Sequence, residues 1–171
     1  MEKNYTALGL MSGTSMDGVD ASIIKSDGYG QFINVLDKYY EFDQNLQKKL
    51  IKLRNQILEK DDLITFSSEL KDLEREITIF HSEIVKKISS NYRKEIDFIG
   101  FHGQTIFHNA NQKISKQLGD GNLLSQLVKK TVVYDFRQND LKNGGQGAPL
   151  VPIFHNLLAN IIHKKFKINF P

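Results

Sequence analysis

The densest run of chemistry-bearing residues in the chain is Gly9-Leu10-Met11-Ser12-Gly13-Thr14-Ser15-Met16-Asp17-Gly18-Val19-Asp20. Hydroxyls, glycines and carboxylates fall here within a few positions of one another. Glycine lets backbone N–H groups approach an anion closely, and successive N–H groups in a tight turn form an anion-binding nest. Ser12, Thr14 and Ser15 add neutral donors for phosphate oxygens. Asp17 and Asp20 would repel bare phosphate, so carboxylates at these positions suit Mg²⁺ held directly or through water. The same composition also suits an ordinary polar hairpin turn, because Ser, Gly and Asp are common turn residues. A Walker A loop is excluded, since no Gly-Lys-[Ser/Thr] ending is present.

Two further groups stand beside apolar runs. His102-Gly103-Gln104-Thr105 follows Ile96 to Phe101, which reads as a buried strand. Ligands of α/β sheets bind outside the carboxyl ends of strands. An imidazole, an amide and a hydroxyl there could read a polar substrate; a strand end capped by His102 is the alternative. His102 and His108 lack further ligands at metal-binding spacing. Asp135-Phe136-Arg137-Gln138-Asn139-Asp140 follows a second apolar run, Thr131 to Tyr134. Arg137 could hold a carboxylate or phosphate through two N–H groups. Gly144, Gly145 and Gly147 would present backbone N–H groups near a helix N-terminus, a second anion or sugar-hydroxyl site. A surface ion pair plus a glycine turn is the alternative there.

The positioning elements are legible from periodicity. Tyr5 to Leu10 reads as a strand, and alternation through Val19, Ala21 and Ile23 gives a second. Asp17-Gly18 is a turn dipeptide, so the two predict a hairpin with Ser12 to Gly18 at its tip. Phe32 to Tyr40 reads as a third strand. Leu46, Leu50, Leu53 and Ile57 have helical spacing, as do Leu70, Leu73, Ile77, Phe80, Ile84 and Ile88 after an expected N-cap region at Asp61-Asp62. These stripes are core and carry no chemistry. Residues 103–121 read as loop with a hairpin, Asn122 to Lys130 as a short helix, Thr131 to Tyr134 as a buried strand, and Leu150 to Ile162 as a final helix. The run Phe166 to Pro171 resembles the approach to another element.

At 171 residues, 40% hydrophobic and 25% charged, the chain has the size and composition of one globular α/β domain. Its net charge of +3 comes from scattered lysines, whereas nucleic-acid binding needs a concentrated basic patch; no nucleic-acid partner is expected. With no cysteine, disulfides and thiolate chemistry are excluded. Met1 to Tyr5 has no signal-peptide core, and no apolar stretch approaches the roughly 20 residues of a membrane span. The expectation is a cytoplasmic protein without a membrane partner.

Residues 9–20 closely resemble the signature of the anhydro-N-acetylmuramic acid kinases. Phe-His-Gly-Gln-Thr-Ile-Phe-His (101–108), Gln117-Leu118-Gly119-Asp120, and Asp-Phe-Arg (135–137) through Gly-Gly-Gln-Gly-Ala-Pro-Leu-Val-Pro (144–152) to His155 resemble further segments of that family, in the same order. The resemblance implies the ribonuclease-H-like α/β domain of the sugar kinase and actin-like ATPase superfamily, with residues 1–171 as the first of two domains. It implies ATP and Mg²⁺ as cofactors and an anhydro amino sugar as substrate. Water would attack the anomeric carbon of 1,6-anhydro-N-acetylmuramic acid, and the freed O6 would take the γ-phosphoryl group. The product would be N-acetylmuramate 6-phosphate, in cell-wall sugar recycling. Gly13, Thr14, Ser15, Met16, Asp17, Gly18, Val19 and Asp20 fall on the ATP-binding segment. His102, Gly103, Gln104, Thr105, Arg137, Gly145, Gln146 and Gly147 fall on segments expected to line the sugar side.

Two departures from the family pattern are plain. Family members often carry an Arg-rich stretch where this chain has Arg137-Gln138-Asn139, and they are roughly twice as long. The expected catalytic base lies beyond Pro171, so none is assigned within the chain and the fragment alone is expected to be inactive. A second copy or a complementing C-terminal half are its expected protein partners. The alternative is a non-catalytic remnant, a phosphate-binding or interaction module from a split gene.

Overall fold

The computed structural model describes residues 4–167; Met1 to Lys3, and the C-terminal run from Ile168 on, lie outside the described residues. Period-two alternation produces three antiparallel strands in succession, β1 (Tyr5–Ser12), β2 (Gly18–Ser26) and β3 (Phe32–Glu41). Leu8 and Leu10 of β1 and Val19, Ala21 and Ile23 of β2 are buried. Three helices follow: α1 (Gln44–Gln56), α2 (Asp62–Thr65) and α3 (Ser67–Tyr92). Asp43 caps α1 by accepting from the N–H groups of Asn45 and Leu46, as a residue with a short polar side chain does at an N-cap. Leu46, Leu50 and Leu53 of α1 join Leu70, Leu73, Ile77, Ile84 and Ile88 of α3 in one core with the buried strand residues. The Asp61-Asp62 start opens only the short α2, because Asp62 turns back to accept from Leu58 and Glu59.

The remaining elements are β4 (Phe98–Asn109), β5 (Ile114–Leu118), α4 (Gly121–Val128), β6 (Thr131–Tyr134), α5 (Phe136–Lys142) and α6 (Pro152–Phe166). The sheet runs β3-β2-β1-β4-β5, and β6 also pairs with β4. β4 is parallel to β1 and, through Phe98 to Phe101, to β6; its second half is antiparallel to β5. The result is a mixed α/β domain. Among the described residues, no helix is long and apolar enough to cross a membrane.

Three expectations need correction. β4 does not end at Phe101 but runs on to Asn109, because β5 takes over its hydrogen bonds beyond Gln104. His102 to Thr105 therefore lie inside a strand. β6 is no buried strand: Val133 and Tyr134 are 47% and 41% exposed, since it is short and, among the described residues, pairs with β4 alone. Phe136 to Lys142, read as the lead into a loop, is helical.

Candidate functional site

The β1–β2 hairpin is held from beneath. β1 and β4 come into register again at Ser12 and Gln104 after an irregularity, and both side chains are buried. Ser12 Oγ lies 2.5 Å from Gln104 Oε1 and 3.0 Å from Gly18 O. Gln104 Nε2 donates to Gly13 O at 2.9 Å and Thr105 O at 3.2 Å. Two carbonyl partners on one side settle which amide atom is the nitrogen. Met16 N donates to Gly13 O, and the Met16 side chain, only 3% exposed, plugs into the core from a left-handed backbone conformation (φ 56°). Gly18 has no room for a side chain, since a Cβ would collide with Tyr40 O and the Tyr39 ring.

This scaffold leaves Thr14, Ser15, Asp17 and Asp20 exposed and Gly13 half-buried, while Met16, Gly18 and Val19 are buried support. Ser15 Oγ donates to Asp17 Oδ1 at 2.6 Å. That hydroxyl, then Tyr39 and local backbone N–H groups, hold the Asp17 carboxyl below its ordinary range. The tip thus offers glycine backbone, exposed hydroxyls and an ionised carboxylate in one accessible place.

A cleft of about 270 Å³ opens where β4, β5 and β6 meet α5. Phe101, His102, Lys116, Tyr134, Asp135 and Gln138 are among the residues that line it. His102 Nδ1 donates to Gly103 O at 2.7 Å, so Nε2 keeps its lone pair and accepts from Arg137 Nε at 3.1 Å and a terminal guanidinium nitrogen at 2.9 Å. Burial first, and the Arg137 cation second, depress the His102 pKa and keep the ring neutral. Behind it, His81 is fully buried and packs edge-on against Phe101, ring centroids 4.9 Å apart. His81 Nδ1 donates to Ile77 O, Nε2 has no partner, and burial lowers its pKa to about 4. Asp135 sits in the left-handed region (φ 61°) at the carboxyl end of β6, and burial pushes its pKa up.

The sequence profile described as "Anhydro-N-acetylmuramic acid kinase" matches residues 5–168. The chain belongs to this kinase family. Similar relatives carry the same name: one from Pelagibacter ubique is 61% identical over 160 residues, 94% of this chain and 43% of the relative. One from Agrobacterium fabrum is 39% identical over 160 residues, covering 90% and 42%. One from Rhodopseudomonas palustris is 36% identical over 167 residues, covering 93% and 44%. The chain thus spans less than half the length of these kinases.

Within this chain the residues singled out by sequence do different things. Gln104 is fully buried, and its amide holds the hairpin. Gly103 is buried too; Thr105 accepts from Gln117 Nε2 at 3.3 Å. The backbone N–H groups of Gly145 and Gly147, read as free for a ligand, are both donated to Asp140, to its carbonyl at 2.8 Å and to Oδ2 at 2.7 Å. The glycines are needed because a Cβ at Gly145 would strike the Asp140 carboxylate, and Gly147 has φ 69°. Gln146 remains exposed. Glu74, Lys116 and Tyr134 were not singled out, and Gln138 was noted only as a departure from the family's Arg-rich stretch, yet all four line the cleft. Glu74 belongs to a helix read only for its apolar stripe, and nothing in local spacing brings it to Lys116.

Proposed function

We propose that this chain is the first, ribonuclease-H-like domain of an ATP-dependent kinase acting on 1,6-anhydro-N-acetylmuramic acid. Phosphoryl transfer to O6 would accompany hydrolytic opening of the anhydro ring, giving N-acetylmuramate 6-phosphate. The observation that carries this reading is the joint construction of hairpin and cleft. Two residues of one strand separated only by Gly103, His102 and Gln104, face the cleft and brace the hairpin respectively. A phosphate donor at the hairpin and a sugar in the cleft would then sit on one rigid support, and phosphoryl transfer depends chiefly on positioning and charge neutralisation. The three antiparallel strands followed by parallel β4 and β6 support the fold assignment.

Gly13 to Asp20 would take the ATP phosphates, with Gly13 backbone, Thr14 and Ser15 as donors. Mg²⁺, when bound, would offset phosphate charge, and Asp17, exposed and ionised, fits a role in holding it through its water shell, with Asp20 beside it on β2. His102, neutral and with Nδ1 fixed as the protonated nitrogen, would orient the sugar, and Arg137 would hold that tautomer. Outside the aligned part the relatives have more than half their length, so turnover is expected to need residues beyond those described. Among other classes, a phosphate-binding module without catalysis would keep the hairpin and lose sugar binding.

Gly13 provides the test. A Cβ there would meet only Ser15 Oγ, at 3.6 Å, so Gly13→Val should fold with stability within about 0.5 kcal/mol of wild type. Calorimetric titration with Mg-ATP should show binding by wild type and none by the variant. Undiminished binding by Gly13→Val would overturn the phosphate-loop reading, and phosphorylation of the sugar by this chain alone would overturn the expected inactivity.

A further inference from the structure

Among the described residues that line the cleft, Lys116 is the one cation, and it faces two carboxylates, Glu74 and Asp135. Arg137, the cation that sequence reading offers to an acidic ligand, has its fork closed on His102 Nε2. Lys116 Nζ is instead 2.7 Å from Glu74 Oε1, with side chains 35% and 25% exposed. An ammonium has three N–H donors, and Glu74 Oε1 is its one polar partner among the described residues. The pair joins the sheet edge, β5, to α3 and leaves the remaining donors at the cleft wall. Its charge also reaches Asp135, where, after Lys142, it opposes the larger effect of burial.

We infer that Lys116 is a specificity residue that binds the carboxylate of an acidic sugar in this cleft, with Glu74 holding its place until the ligand carboxylate replaces it. The inference rests on the proposed function, because the kinase name of the relatives supplies the acid. A charge-assisted hydrogen bond is worth roughly twice a neutral one, and the exchange of one carboxylate partner for another leaves the ammonium never unpaired. Glu74 is therefore a competitor for the ligand, and its removal should tighten binding. A pair that served folding alone would behave in the opposite way.

The experiment is an NMR titration of the chain with 1,6-anhydro-N-acetylmuramic acid and with the same anhydro amino sugar lacking the acidic side chain. Wild type should prefer the acid by about tenfold, the scale of one charge-assisted contact. Lys116→Met should lose that preference and keep its affinity for the neutral sugar, and Lys116→Arg should retain it. Glu74→Gln should bind the acid several-fold tighter. Retained preference in Lys116→Met, or weaker acid binding in Glu74→Gln, would overturn the inference while the kinase reading stands. Binding of neither sugar by wild type would overturn both.

Discussion

The hairpin tip and the cleft share β4 as their support but satisfy their polar groups in opposite ways. At the hairpin, the buried members, Ser12, Gln104 and Met16, bond or pack inward and leave Thr14 and the Ser15–Asp17 pair exposed at the surface. In the cleft and the α5 segment beside it, the groups best suited to a ligand bond to one another: His102 with Arg137, Lys116 with Glu74, and, in the loop after α5, the Gly145 and Gly147 N–H groups with Asp140. The first region is preorganised for an anion. The second must exchange internal partners for ligand, and that exchange can discriminate between sugars, because only a ligand replacing the lost bonds is favoured.

The hardest blow to this division falls on the residue between its halves. Gly103, flanked by His102 and Gln104, has φ 71°, and a Cβ there would run into Leu118 O on β5. Both obstacles are backbone, so nothing yields cheaply. Gly103→Ala should cost about 2–4 kcal/mol, combining overpacking with a left-handed alanine. Urea unfolding measures it, and a loss under 1 kcal/mol would mean that β4 and β5 are not packed this tightly at Gly103.

His81 sharpens the cleft side through pH. Its folded pKa is about 4 against an ordinary 6.5, so below pH 6.5 the unfolded chain takes up the proton first. The stability it permits is complete above 6.5 and declines as pH falls through 4, by about 3 kcal/mol. His81→Phe should keep the edge-on contact with Phe101 and remove most of that slope. Unfolding free energies compared at pH 7 and pH 4.5 would show it; an unchanged slope would assign the loss to other groups.

Gln104→Leu should cost less, about 1–3 kcal/mol, for the buried amide bonds to Ser12, Gly13 and Thr105 that are lost. Ser12 Oγ keeps Gly18 O, and Gly13 O keeps Met16 N. The larger readout is Mg-ATP affinity, which should fall because the loop loses its brace. Unaltered affinity in the folded variant would show that the hairpin orders itself.

How much of this was legible in the sequence follows from the range of the interactions. The hairpin was readable because turn dipeptide, strand alternation and hydroxyl run are all local to residues 5–26. The long helices α1 and α3 announced themselves through leucine and isoleucine spacing, whereas α5 has no such stripe. The continuation of β4 was hidden because His102 to Thr105 look like loop, and only pairing with β5 makes them strand. Gln104 looked like a ligand group for the same reason: its partners, Ser12 and Gly13, lie some 91 or 92 positions away. Lys116 and Glu74 are 42 positions apart, so no spacing rule joins them. The exposure of β6 was missed because an apolar tetrapeptide carries no sign of how many neighbours its strand will have.

The smallest effect tests the most specific claim about the cleft. Arg137 contributes to the depressed pKa of His102, but burial contributes more. Arg137→Met should therefore raise the His102 pKa only part of the way back, leaving it below the ordinary histidine value. Because the depressed group is protonated in the unfolded chain first, the wild-type contribution is present above that ordinary value and declines as pH falls. The variant should show a shallower decline. Following the imidazole carbon-bound protons by NMR across pH 4 to 8 separates His102 from His81, which lacks contact with the guanidinium among the bonds described. A His102 pKa that does not move would mean that the guanidinium does not face Nε2 in solution. Arg137 would then be free to meet a ligand directly, and the contrast between a preorganised hairpin and a self-bonded cleft would narrow to the Lys116–Glu74 pair and the Asp140 loop.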